Sequence, residues 1–107
     1  MQNNLSLSQI NNIFFIGIAG VGMSALAQFL AGTQKNISGS DRYFTHDTEN
    51  ETRQKLELEG IKCFPQNGEG ITENIELIIV STAVEDTVPE VKKGKELGIP
   101  IAKQFIT

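Results

Sequence analysis

A short apolar run that ends in a cluster of glycines constrains this chain more than any other segment: Ile13-Phe14-Phe15-Ile16-Gly17-Ile18-Ala19-Gly20-Val21-Gly22-Met23-Ser24. Its order, apolar residues, then glycines, then a helical pattern, is that of a strand–turn–helix that binds phosphate. Glycines let the backbone turn tightly and approach a ligand with no Cβ in the way. The first N–H groups of the following helix have no partner inside the helix and face an anion. A diphosphate is the natural guest of such a turn.

The remaining pattern alternates short apolar runs with longer helical stretches, which points to one α/β unit. Strands are expected at about 12–17, 36–40, 61–64, 76–81 and 99–102. Helices are expected at about 22–31, where Met23, Leu26, Ala27, Leu30 and Ala31 recur at helical spacing, and at about 48–59 and 88–97. Gly32, Gly60 and Gly98 stand where these helices should stop, and Pro89 suits a first helical turn. The unbroken run Leu77-Ile78-Ile79-Val80 reads as a central strand buried on both faces, whereas Pro100 puts the last strand at an edge. Right-handed crossovers then give a Rossmann-like three-layer domain with a five-stranded parallel sheet, order 3-2-1-4-5. Ligands of such sheets bind beyond the carboxyl ends of the strands, where the strand order reverses. The glycine turn, Asp41 and Ser81-Thr82-Ala83 all fall on that edge.

Composition excludes several classes of function. At 107 residues the chain is expected to be a single domain, 1–107, too short to hold a substrate domain beside a nucleotide domain. A net charge of −4, with nine scattered Lys and Arg residues, leaves no electrostatic footprint for nucleic acid. No apolar stretch approaches the roughly 18 residues of a membrane span, and no basic region precedes an apolar run at the amino terminus. The expectation is a cytoplasmic protein with neither nucleic-acid nor membrane partners. The lone cysteine, Cys63, reads as a small buried hydrophobe. His46 reads as a solvated loop residue without companions for a zinc site. Glu49, Glu51, Glu57 and Glu59 read as the exposed side of a helix. Nothing resembles a nucleophile with its base, so no catalytic residue and no metal ligand is assigned.

Between Gly17 and Gly22 the turn reads G-x-x-G-x-G, whereas the dinucleotide fingerprint is G-x-G-x-x-G. Asp41 lies where nucleotide-binding α/β folds place an acid on ribose hydroxyls, and a capping aspartate is the alternative. A non-catalytic module sensing NAD(H) or a similar nucleotide therefore stays open beside a diphosphate-binding domain. A free-standing dehydrogenase does not fit the length.

The segments Gly17 to Ser24, Ser38-Gly39-Ser40-Asp41, Val80-Ser81-Thr82-Ala83-Val84, Pro89-Glu90 and Gly98-Ile99-Pro100-Ile101 occur in one order over nearly the whole chain. Together they resemble the amino-terminal domain of the Mur ligases of peptidoglycan synthesis, most closely the alanine-adding members. The resemblance implies a domain that holds the UDP part of UDP-N-acetylmuramic acid. Backbone N–H groups of Gly20, Val21, Gly22, Met23 and Ser24 would cradle the diphosphate. Ser40 and Asp41 would face the ribose side, and Ser81, Thr82 and Ala83 would line the nucleotide. Asn67 would be the polar residue in a loop where members often carry a histidine.

In the family an ATP-binding central domain and a carboxyl-terminal domain follow. No G-x-x-x-x-G-K-[ST] occurs in this chain. ATP and Mg²⁺ are accordingly implied for a full-length, amide-forming ligase that adds L-alanine, with no cofactor and no activity expected of this domain by itself. The ligase that attaches a murein tripeptide to the same nucleotide sugar has a similar amino-terminal domain and is the nearest alternative.

Overall fold

The computed structural model describes residues 7–44 and 50–104. His46, Glu49 and the expected start of the second helix at 48 lie outside them. After a 3-10 turn, Leu7–Gln9, come β1 (Asn12–Ile16), α1 (Val21–Ala31), β2 (Asn36–Asp41), α2 (Glu51–Leu58), β3 (Lys62–Pro65), β4 (Leu77–Ser81), α3 (Pro89–Glu96) and β5 (Ile101–Gln104). All strand pairs are parallel, and the sheet order is β3-β2-β1-β4-β5, as the crossover rule requires.

The apolar run of β1 is explained by its place between β2 and β4, with layers on both faces. Ile13 and Phe15 point to one side, where they meet Met23, Ala27 and Leu30 of α1 and Leu56 of α2. Phe14 and Ile16 point to the other, where Ile78, Val80, Ile71 and Val91 of α3 join them. No residue of Ile13 to Ile16 reaches solvent, so a polar side chain anywhere in the run would be buried without water.

Helices α2 and α3 end alike. The N–H of Gly60 donates to Glu57 and that of Ile61 to Leu56; the N–H of Gly98 donates to Lys95 and that of Ile99 to Gly94. Each is a Schellman closure with its glycine just past the helix. Helix α1 differs: Gly32 caps it in right-handed geometry, and the left-handed residue is Gln34, at φ 70°.

The fifth strand is displaced from its expected place. It spans Ile101–Gln104, so Pro100 precedes it and uses only its carbonyl, which accepts from Ile78 N–H at 2.9 Å. A proline lacks the N–H that continued pairing needs, which moves the start of the strand past it, and β5 is an edge strand.

The crossover from β3 to β4, residues 66–76, contains no helix. It covers the Phe14 face beside α3 and is tied by local bonds, among them Asn67 N–H to Pro65 and Ile71 N–H to Gly68. Gly70 passes so close to the Phe14 and Phe64 rings that a Cβ would lie 2.6 and 2.7 Å from their nearest carbons.

Candidate functional site

Gly17, at φ 86°, turns the chain out of β1, and the N–H groups of Gly17 and Ile18 donate to the Ser40 carbonyl of β2 at 2.9 and 3.1 Å. Asp41, the last residue of β2 and only 6% exposed, fixes the next part of the turn. One of its oxygens accepts from Ala19 N–H at 2.9 Å and the other from Tyr43 N–H at 3.0 Å. The turn is thus held from β2 at three successive amides before α1 begins.

Gly20 is the N-cap residue of α1, with φ −63° and ψ 149°, and no side chain caps the helix. That backbone geometry is open to any residue, and a Cβ built on Gly20 finds no atom closer than 3.6 Å. The protein's own packing therefore does not demand glycine at 20. The N–H groups of Val21, Gly22 and Met23 open the helix beyond it, and no acid stands in the first turn to neutralise their partial charge.

A cleft of about 580 Å³ lies beyond the carboxyl ends of the strands, at the reversal between β1 and β4. Gly17, Ala19 and Gly20 form its floor. Asp41, Arg42 and Tyr43 after β2, Asn50 and Thr52 at the start of α2, and Gln66 after β3 form one wall. Ser81, Ala83, Val84 and Glu85 after β4, with Val88 before α3, form the other. Asn50 also caps α2 by accepting from Arg53 N–H at 3.0 Å. The Arg42 guanidinium, a permanent cation on this wall, lies over the Tyr43 ring, 5.1 Å from its centre, and donates to the hydroxyl at 3.1 Å, which pushes its pKa up.

The expected site residues divide. Gly20, Asp41, Ser81 and Ala83 border the cleft. Met23 turns its side chain into the core, leaving only its N–H for a ligand, and the Ser24 hydroxyl donates to Val21 within the helix. Ser40 is buried; its carbonyl serves the turn, and its Oγ has no hydrogen-bond partner among the described residues. The Asn67 side chain bonds Glu69 on both sides of its amide and is not among the cleft-lining residues, whereas its neighbour Gln66 is. Thr82 is exposed outside the cleft lining, whereas the Ser81 hydroxyl accepts from Ala83 N–H at 3.2 Å and shapes that loop.

Arg42, Tyr43, Asn50, Thr52 and Gln66 were not singled out by sequence reasoning. The first two had a usable signal, since they directly follow the acid at the carboxyl end of β2. Cys63 is buried as expected, and burial pushes its thiol up to about 12, far from a reactive thiolate.

The model of the Mur ligase family, catalytic domain, matches residues 12–106, nearly the whole chain. The chain belongs to the Mur ligase family. It is 41% identical over 90 residues to a UDP-N-acetylmuramate–L-alanine ligase of Carboxydothermus hydrogenoformans, covering 83% of this chain and 18% of that protein. It is 44% identical over 91 residues to the ligase of the same name from Campylobacter jejuni, covering 84% and 20%. Among solved structures, the UDP-N-acetylmuramate-alanine ligase of Thermotoga maritima superposes with a TM-score of 0.74 at 30% identity, over 86% of this chain and 20% of that one. The fold is shared too by the UDP-N-acetylmuramate:L-alanyl-gamma-D-glutamyl-meso-diaminopimelate ligase of Neisseria meningitides, with a TM-score of 0.73 at 21% identity over 88% of this chain and 28% of that one. The chain spans about a fifth of the length of the curated relatives it matches.

Proposed function

We propose that this chain is the UDP-sugar-binding domain of a cytoplasmic, ATP-dependent ligase that joins L-alanine to UDP-N-acetylmuramic acid. One observation carries the reading: α1 starts without a side-chain cap directly after Gly20, which borders the cleft and whose Cβ-free space the protein does not itself use, although Val21 to Ser24 are not themselves among the lining residues. Donor N–H groups and the helix dipole suit a diphosphate there. The walls, with an arginine–tyrosine stack, amides and hydroxyls, offer hydrogen bonds and a flat surface to a nucleoside. Identity of 41 and 44% to alanine-adding ligases supports that acceptor over a tripeptide, for which the likeness is one of fold.

Asp41 argues against the NAD(H)-sensing alternative. Both of its oxygens take backbone N–H groups, those of Ala19 in the turn after β1 and of Tyr43, so the acid is explained without a nicotinamide dinucleotide.

In the reading proposed, ATP and Mg²⁺ are bound outside this domain. The sequence has no P-loop, and no group of three or more potential metal ligands occurs among the described residues, so no step through them is assigned to these side chains. In the reading proposed, this domain binds and orients the nucleotide sugar, and ATP-dependent activation of its carboxylate belongs to the rest of the ligase.

Calorimetric titration with UDP-N-acetylmuramic acid, UDP, NAD⁺ and NADH tests the assignment. Binding of the UDP compounds alone is expected. Binding of NAD(H) alone, or of none of the four, overturns it.

A further inference from the structure

Glu90, in the first turn of α3, is fully buried, yet among the described residues only one of its carboxylate oxygens has a hydrogen-bond partner. That oxygen, Oε2, accepts from Gly68 N–H at 3.3 Å. One turn further along α3, Lys93 Nζ donates to the Gly68 carbonyl, also at 3.3 Å. The helix thus holds both polar ends of one residue of the crossover that lacks a helix of its own. We propose that Glu90 is a positioning residue for the nucleotide cleft: by gripping Gly68 it fixes the 66–76 crossover so that Gln66 stands at the cleft wall.

Stability by itself does not account for a carboxyl group in this place. Burying one with an unpaired oxygen is costly, and an apolar side chain of similar volume serves packing as well or better. What an apolar side chain cannot supply is an acceptor for Gly68 N–H. Gly68 needs one, because at φ 89° it turns the chain sharply and takes no part in the sheet.

Gln66 is placed between two anchors. On one side Pro65 is registered against Asp41 in the sheet, and on the other Gly68 is held by α3. The same helix is entered through Val88, which belongs to the opposite wall. Glu90 therefore ties the wall after β3 to the wall after β4, and so sets the width of the cleft where a nucleoside would lie. The floor, built from the glycine turn ahead of α1, is held independently by Asp41 and Ser40.

The ligand half of this proposal rests on the function proposed above, and its test separates the two. Glu90→Met keeps volume without an acceptor, Glu90→Gln keeps an acceptor, and both are titrated with UDP and with inorganic pyrophosphate. Glu90→Met is expected to weaken UDP about tenfold while leaving pyrophosphate unchanged, because the diphosphate sees only the floor. Glu90→Gln is expected to restore UDP affinity, and Glu90→Met added to Gln66→Ala to cost nothing further. Equal losses for both ligands, or undiminished UDP binding by Glu90→Met, would overturn the positioning role.

Hydrogen exchange without ligand supplies the independent measurement. Faster exchange confined to residues 66–71 is expected in Glu90→Met, and unaltered protection there overturns the clamp. Failure of the unmodified chain to bind UDP overturns the functional reading by a separate result.

Discussion

Gly20, in the turn after β1, and Asp41, at the end of β2, both border the cleft, and their own packing gives them different reasons for being there. Gly20 leaves space that nothing in the protein fills, so serine there should disturb the ligand and not the fold. A serine N-cap adds an acceptor for the helix N–H groups, so Gly20→Ser is expected to leave stability unchanged or raise it by roughly a few tenths of a kcal/mol. The same hydroxyl occupies the donors and the space that the proposed function gives to phosphate, and UDP affinity should fall by at least about tenfold. Thermal melts and calorimetry on one sample decide between this outcome and a packing glycine, which would lose both properties together. Asp41 borders the cleft and also serves the fold itself. Asp41→Ala strands the N–H groups of Ala19 and Tyr43 and should lower stability by about 1–3 kcal/mol, read as a lower urea midpoint at unchanged slope. The residue types were legible in the sequence, but which duty each performs was not. An acid after the second strand suits a ribose and a turn equally well, and the two amides it accepts from are set by tertiary structure that the sequence does not spell out.

At the scale of elements, two contacts set how the layers meet. The turn after β1 packs directly on β2 at Gly39, where a Cβ would lie 2.6 Å from the end of Ile18 and 2.8 Å from the Phe15 carbonyl oxygen. Backbone cannot yield as a side-chain end can, so Gly39→Ala is expected to cost about 1–3 kcal/mol by overpacking, measurable in urea. At the opposite end of the sheet, Glu76 ahead of β4 accepts from Asn11 N–H at 2.8 Å and Asn12 N–H at 2.9 Å, joining the start of β1 to its neighbour. These bonds, that from Asn12 first, pull the Glu76 pKa down. A carboxyl group depressed by folding stabilises above its unfolded pKa, about 4.3, and ceases to do so as pH falls through its folded value. The stability difference between the unmodified chain and Glu76→Gln should accordingly be present at neutral pH and shrink on acidification below that range. A constant difference down to the acid limit would remove Glu76 from the pH dependence. Strand and helix order were readable because apolar runs and glycine stops are local signals. The fifth strand was misplaced by two residues because its start depends on which groups β4 leaves open to pairing. Glu90 belonged to the family pattern, but nothing in the sequence pointed to its burial: after a proline in a first helical turn it looks like an ordinary acid at a dipole, and the crossover laid across it is what buries it.

For the molecule as a whole, the cleft is a product of topology. Five segments far apart in sequence meet there only because β1 and β4 are neighbours in the sheet and their connections leave in opposite directions. The sequence therefore disclosed the cleft's edge and floor, which belong to one strand–turn–helix, more readily than its walls, whose partners are set by the crossovers. The central place of β1 also has a temporal side. It is made early on the ribosome, and β2 can pair with one of its edges soon afterwards, but the other edge waits for β4, more than sixty residues later. Until then a strand with four successive apolar residues, Ile13 to Ile16, presents open N–H and C=O groups to any passing chain. The interval between translation of β2 and of β4 is thus the period in which this polypeptide is most exposed to aggregation, and slow decoding or truncation there should generate its most chaperone-dependent species.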